Sequence, residues 1–240
     1  MKVKMIDKIV THLPYLPYIF YSIYFNFRYL PFKQAVRLPI LLHKPLFRKC
    51  YGSVVIDAPN IETGMIRLGA RMSGIHRNNG VIWENEGKVV FKGRACVSSG
   101  CAISVGLYGT LILGHACSFN ADSKIVCWHY VELGDYVHSA WNVIIIDTDF
   151  HSIKNAFTHK KIKAYAPIVI GSYNWIGQRS LILKGVKTPN HIIISAASVL
   201  NRKYKCEENS IISGNPASVT AEGCYYRDWL DDAVDYCDRK

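Results

Sequence analysis

Acidic residues are almost missing from the first fifty positions: Asp7 stands alone against nine Lys and Arg, so this segment carries +8 of the chain's total +11. Such a segment favours phosphate-bearing or membrane-surface partners. The eight cysteines (50, 96, 101, 117, 127, 206, 224 and 237) form no C-x-x-C pair. A chain of 240 residues needs no disulfide framework, so reduced thiols of the cytosol, acting as small apolar fillers, are the expectation. The uncharged run from Leu13 to Phe27 contains Pro14 and Pro17 and falls short of the roughly 20 residues of a spanning helix. No small-residue cleavage site follows it, so it does not read as a signal peptide. Half of the residues are hydrophobic, which excludes global disorder and fits one main domain with a smaller appendage.

What the first fifty residues do contain is aromatic: "LPYLPYIFYSIYFNFRYLPF". Aromatics mixed with Lys and Arg suit a helix lying at a bilayer interface, so residues 1–48 are a candidate for peripheral membrane contact. The alternative is a helical arm that packs on the main domain.

Residues 52–220 carry few helix signals and many short aliphatic clusters broken by glycine. Every sixth residue from Leu107 is apolar (Leu113, Phe119, Ile125, Val131, Val137, Val143), and the same step from Ile170 gives Ile176, Ile182, Thr188, Ile194 and Leu200. Aliphatic–glycine pairs recur at Leu68-Gly69, Leu113-Gly114, Leu133-Gly134, Ile170-Gly171 and Ile176-Gly177. A six-residue period describes a parallel β-helix: short strands joined by tight turns, one inward side chain per turn, coils about 4.8 Å apart. Glycine is expected at turns that need unusual backbone angles. A β-sandwich would alternate with period two and fits less well. The expected organisation is an aromatic, basic segment over 1–50, a β-helix over 51–220 and a helical tail over 221–240. In the tail Trp229, Leu230, Ala233, Val234 and Cys237 fall at helical spacing. The two periodic runs do not connect in phase. The segment between them, with a loop over 147–167, is expected to leave the coil and return.

In chain order the sequence shows "DTDFH" (147–151), "APIVIGSYNWIGQRSLILKGV" (166–186), "IIISAASVL" (192–200) and "SGNPAS" (213–218). This series resembles the hexapeptide-repeat acyltransferases, left-handed parallel β-helix enzymes that include maltose, galactoside and xenobiotic acetyltransferases. It looks most like the O-acetyltransferases of capsule, exopolysaccharide and lipopolysaccharide assembly. The resemblance covers 107–220 well and 50–106 loosely. It implies a cytoplasmic enzyme, with the inner face of the membrane as a possible site of action. The implied reaction moves an acetyl group from acetyl-CoA to a sugar hydroxyl, without a metal. A homotrimer with active sites shared between chains is implied as well.

The resemblance makes His151 the general base, which suits an imidazole because it titrates near neutral pH. Asp147 or Asp149 would orient the ring, or Asp149 would cap the turn. Trp175 matches a tryptophan beside the cofactor and acceptor channel, against the reading of an aromatic packed outside a coil. Gly177, Ser195, Ala196 and Ala197 match positions where the coil surface stays low under the pantetheine arm. Arg202 or Lys203 would meet the CoA phosphates, and "GNPA" (214–217) would turn the chain out of the last coil. Asn120 and Asn142 match amide positions near the acceptor. The sequence departs from the sugar-acetyltransferase pattern at "CWHYVELGD", where Trp128 and His129 sit in a coil of altered length. That implies a different acceptor.

The sequence admits several rival readings. An N-acetyltransferase acting on an amino sugar or xenobiotic shares the motifs, and a non-catalytic β-helix scaffold shares the fold. A zinc enzyme on the same scaffold would need three convergent histidines, and His115, His129, His138, His151 and His159 offer no close pair. Nucleic-acid binding finds no motif, for the excess charge sits among aromatics and prolines.

Overall fold

The computed structural model describes residues 12–70 and 74–227. Three sheets of nine, seven and six strands, parallel except for the last strand of the nine, form the faces of a triangular prism. The chain visits the faces in a constant order, for example Cys117–Phe119, Lys124–Cys127 and Tyr130–Leu133. Each strand pairs in parallel with one from the next coil, as Phe119 does with Ser139, Ile125 with Ile145 and Val131 with Ile168. The hexad residues line the interior. Phe119, Ile125, Val131, Val137 and Val143 are buried, and so is every member of the run from Ile170 to Leu200. Burying each such side chain contributes ~1.5–3 kcal/mol.

Leu107 breaks the expected frame. It is 63% exposed, because Gly106 to Gly109 form a corner closed by a Gly109 N–H donating to the Gly106 carbonyl at 2.8 Å. The inward position there belongs to Val105 and Leu111.

Of the paired glycines Gly69 takes the unusual backbone expected, with φ of 93°, but the other four serve a different need. Gly114, Gly134, Gly171 and Gly177 do not adopt positive φ. They are glycine because coils stack directly on them: a Cβ on Gly114 would lie 2.4 Å from the Gly134 carbonyl carbon, and one on Gly134 2.5 Å from the Ser172 nitrogen. The left-handed backbone falls two residues later, on Ala116, Tyr136 and Tyr173, with φ of 57°, 56° and 60°. That twist aims each N–H back at the preceding coil, as Tyr136 N to His115 O and Tyr173 N to Asp135 O, both 2.7 Å.

A 3-10 turn over Leu13–Tyr18 leads into helix α1, Ile19–Tyr29, and a short helix over Phe32–Ala35. The α1 face bearing Ser22, Phe25 and Asn26 is buried. Asn26 Nδ2 donates to the Ile40 carbonyl at 2.7 Å, its Oδ1 accepts from Ile40 N at 3.1 Å, and Ser22 Oγ accepts from Leu42 N at 2.9 Å. Side chains of α1 thus replace the missing neighbour of edge strand Ile40–Leu42 and cap the open end of the prism. The coil therefore begins at Ile40 rather than at residue 51. At the other end "GNPA" makes the turn between antiparallel strands Ile211–Gly214 and Ala217–Ala221. Residues 222–227 are not helical, and the five apolar positions from Trp229 to Cys237 lie outside the described residues.

Candidate active site

After strand Ile144–Ile146 the chain leaves the corner between the second and third faces and returns at Ile168–Ile170. The excursion is a two-stranded arm. Thr148 bridges Tyr165 at its base, and Ile153–Lys154 pairs with Lys161–Ile162 further out. Departure of the chain leaves the Trp128, His129 and Tyr130 N–H groups of the coil below without backbone acceptors. Asp147, fully buried, supplies them: Oδ1 accepts from Trp128 at 2.8 Å, and Oδ2 from His129 at 2.7 Å and Tyr130 at 2.8 Å. Trp128 then packs edge-on against Phe150 at 5.1 Å, and His129 packs tilted against Tyr165 at 4.7 Å, seating the arm on the prism.

His151 is exposed at the root of this arm. Phe150 before it holds φ of +59°, and the His151 N–H closes on the Asp149 carbonyl at 2.7 Å, so the imidazole is presented on a tight, strained turn. Among the described residues the ring has no hydrogen-bond partner. Asp149 does not orient it, because Asp149 Oδ2 takes the Lys184 ammonium at 2.5 Å.

A second feature lies on the first face and its corner with the second. Ser118, His138, Trp175 and Ile193 are register partners in successive strands, so they project outward in one row. One turn position later Asn120, Ala140, Gly177 and Ser195 form a parallel column of small side chains. A Cβ on Gly177 would lie 2.5 Å from the Ala196 nitrogen, so the column cannot rise there. Row and column bound a groove of about 920 Å³, joined by Trp141, Gln178, Ala196 and Arg227. The Arg227 guanidinium sits 5.7 Å over the Trp175 ring. A flat, small-residue floor beside an aromatic wall and a cation fits a long, thin, anionic acyl carrier such as acetyl-CoA.

No protein-family model matches the chain. Comparison with solved structures finds the polysialic-acid-specific acetyltransferase NeuO at TM-score 0.50 and 20% identity, over 82% of this chain and 94% of that one. The polysialic acid O-acetyltransferase OatWY follows at TM-score 0.40 and 21% identity, over 82% and 93%. A maltose O-acetyltransferase from Clostridium difficile 630 gives 0.35 and 16%, over 88% and 87%. The chain has the left-handed β-helix fold of the hexapeptide-repeat acetyltransferases.

Within this hexapeptide-repeat β-helix the residues singled out from sequence divide into groups. Trp175, Gly177, Ser195, Ala196 and Asn120 come together in the groove. Ala197 and Asn142 do not line it. They hold the left-handed corner position at φ of 57° and 59° and so serve the backbone. Asp147 and Asp149 are committed to the arm rather than to His151. Arg202 is only partly free for phosphate, since its Nη2 donates to the Ala217 carbonyl at 2.6 Å and pins the terminal hairpin. Lys203 is exposed. His129 is taken up by Tyr165. Among the described residues no three His, Cys, Asp or Glu converge as a metal site, and the seven described cysteines are free thiols.

Sequence reasoning missed His138, Trp141, Gln178 and Arg227. The first three were legible in principle, His138 as the register partner of Trp175, and Trp141 and Gln178 as the residues that follow Ala140 and Gly177. Arg227 was not, for nothing local shows that the tail runs back over Trp175. His151 and the groove occupy different edges of one prism, with the second face between them.

Proposed function

We propose that the protein is an acetyl-CoA-dependent O-acetyltransferase acting on a glycan hydroxyl, on the cytoplasmic side where surface polysaccharide is built. The observation that carries this reading is the groove, with its column Asn120–Ala140–Gly177–Ser195 beside Trp175. It has the shape for a pantetheine arm, and no cysteine is among the described residues that line it.

His151 takes the proton of the acceptor hydroxyl as the oxygen attacks the thioester carbonyl. The new C–O bond forms, the C–S bond breaks, and the imidazolium returns its proton to the leaving thiolate, so base and proton balance over one turnover. Trp175 and Arg227 position the donor. A second copy of the chain in a trimer brings its arm, with His151, to the groove of the first.

The acceptor is an acidic glycan. Lys154, Lys160, Lys161 and Lys163 are all exposed on the arm that presents His151, while its Asp149 is already neutralised by Lys184. The structure with TM-score 0.50 is itself named for polysialic acid. The reading is tested by thiol release from acetyl-CoA against acidic and neutral oligosaccharides, free and lipid-linked, for the wild type and His151→Ala. Release with acidic acceptors, falling at least ~100-fold in the variant, supports it. Unchanged release in the variant would overturn the assignment of the base.

A further inference from the structure

Helix α1 has two faces with opposite fates. Ser22, Phe25 and Asn26 seal the end of the prism, whereas Phe20 is 80% exposed, Tyr24 52% and Phe27 48%. Leu16 before the helix, 57% exposed, and Phe32 after it, 72% exposed, extend the same surface, and the Phe27 and Phe32 rings meet edge-on at 6.0 Å. A soluble surface rarely leaves a contiguous aromatic patch bare without a partner.

The charge around the patch names the partner. From residue 12 to residue 56 the chain has six cations (Arg28, Lys33, Arg37, Lys44, Arg48, Lys49) and no acid; Lys49 is paired with Glu86 at 2.7 Å, which leaves five. Two copies meeting through this surface would set like charges against each other, whereas an anionic bilayer complements them. Among the described residues no helix is long and apolar enough to cross a membrane, so the surface would lie in the interface. We propose that the outer face of α1, centred on Phe20 and Phe27, docks the capped end of the prism onto an anionic lipid surface. The arm with His151 leaves the prism four coils from that end, about 19 Å along the axis at one coil spacing each. The docked enzyme works on glycan held away from the headgroups. This face is separate from the groove and the arm.

The experiment is flotation of the full-length protein with vesicles of phosphatidylcholine alone or mixed with equal phosphatidylglycerol. The expected result is binding to the mixed vesicles, weakened by added salt. Phe20→Glu, alone and with Phe27→Glu, should cut the bound fraction at least tenfold. Melting behaviour and thiol release with a soluble acceptor should stay as in the wild type. Phe20→Glu alone keeps the test valid if the double variant misfolds. Absence of binding to anionic vesicles, or equal binding by Phe20→Glu, would overturn the proposal. So would a wild type that ignores vesicles but forms larger assemblies that Phe20→Glu dissolves, which would make a second copy the occupant.

Discussion

The Lys184 ammonium lies between the Asp149 carboxylate, at 2.5 Å, and the Lys163 carbonyl, at 2.9 Å, so one side chain from the next coil ties both strands of the arm. Asp149 serves the position of His151 through the backbone and not by touching the ring. Asp149→Asn keeps a hydrogen bond but loses the charge pairing. It should lower kcat less than tenfold, against the ~100-fold or larger loss expected for His151→Ala. Steady-state kinetics of the two variants separate a positioning carboxylate from a proton-transfer partner, since a true dyad would make the two losses alike.

Asp147 has the opposite character. Asp147→Ala leaves three N–H groups at the corner beneath the arm without their acceptor, a cost of at least ~2 kcal/mol. Chemical denaturation should show that loss for Asp147→Ala and almost none for His151→Ala, whose exposed ring makes no hydrogen bond among the described residues. Equal midpoints for the two variants would mean that the carboxylate does not hold the corner.

Placement of His151 and Trp175 on different edges predicts complementation. His151→Ala and Trp175→Ala are each expected to be nearly inactive alone. Refolded together from denaturant, they should regain a fraction of wild-type activity if the proposed trimer shares its sites, because some mixed trimers would then hold one groove and one arm both intact. Activity that never exceeds that of the separate variants would place the whole site within one chain.

Burial raises the thiols of Cys101 and Cys117 from 9.0 to about 12. A thiol whose folded pKa lies above its unfolded value keeps its proton more firmly in the folded chain. Its contribution is complete below about pH 9 and fades as pH climbs toward 12. Denaturation midpoints should therefore be flat in this respect up to pH 9 and fall above it. At neutral pH Cys224, which is exposed, should react with a thiol reagent while Cys101 and Cys117 do not. Early labelling of the buried pair would contradict the packing of the core.

Much of the fold was legible in residue order because a β-helix repeats locally. The hexads from Leu113 to Val143 and from Ile170 to Leu200 each place an inward side chain at a fixed step. The motifs around Trp175, Gly177 and Ser195 named most of the groove, since residues one coil apart fall in one column. Leu107 misled the period because corner length is set by stacking on the next coil, which a count along the chain does not contain. Glycine was read as a twist residue for the same reason: the clash between Gly114 and Gly134 exists only once coils are stacked.

By itself, the order of residues determined the repeat, the inward set, the excursion at 147–167 and the basic aromatic start, all properties of neighbours along the chain. Tertiary structure alone decided that Asp147 and Asp149 hold the arm instead of the imidazole, that Arg227 returns over Trp175, and that α1 buries Asn26 while baring Phe20. Those outcomes depend on which unpaired N–H, carbonyl or charge a side chain meets across coils, and distance in space, unlike distance in sequence, sets that.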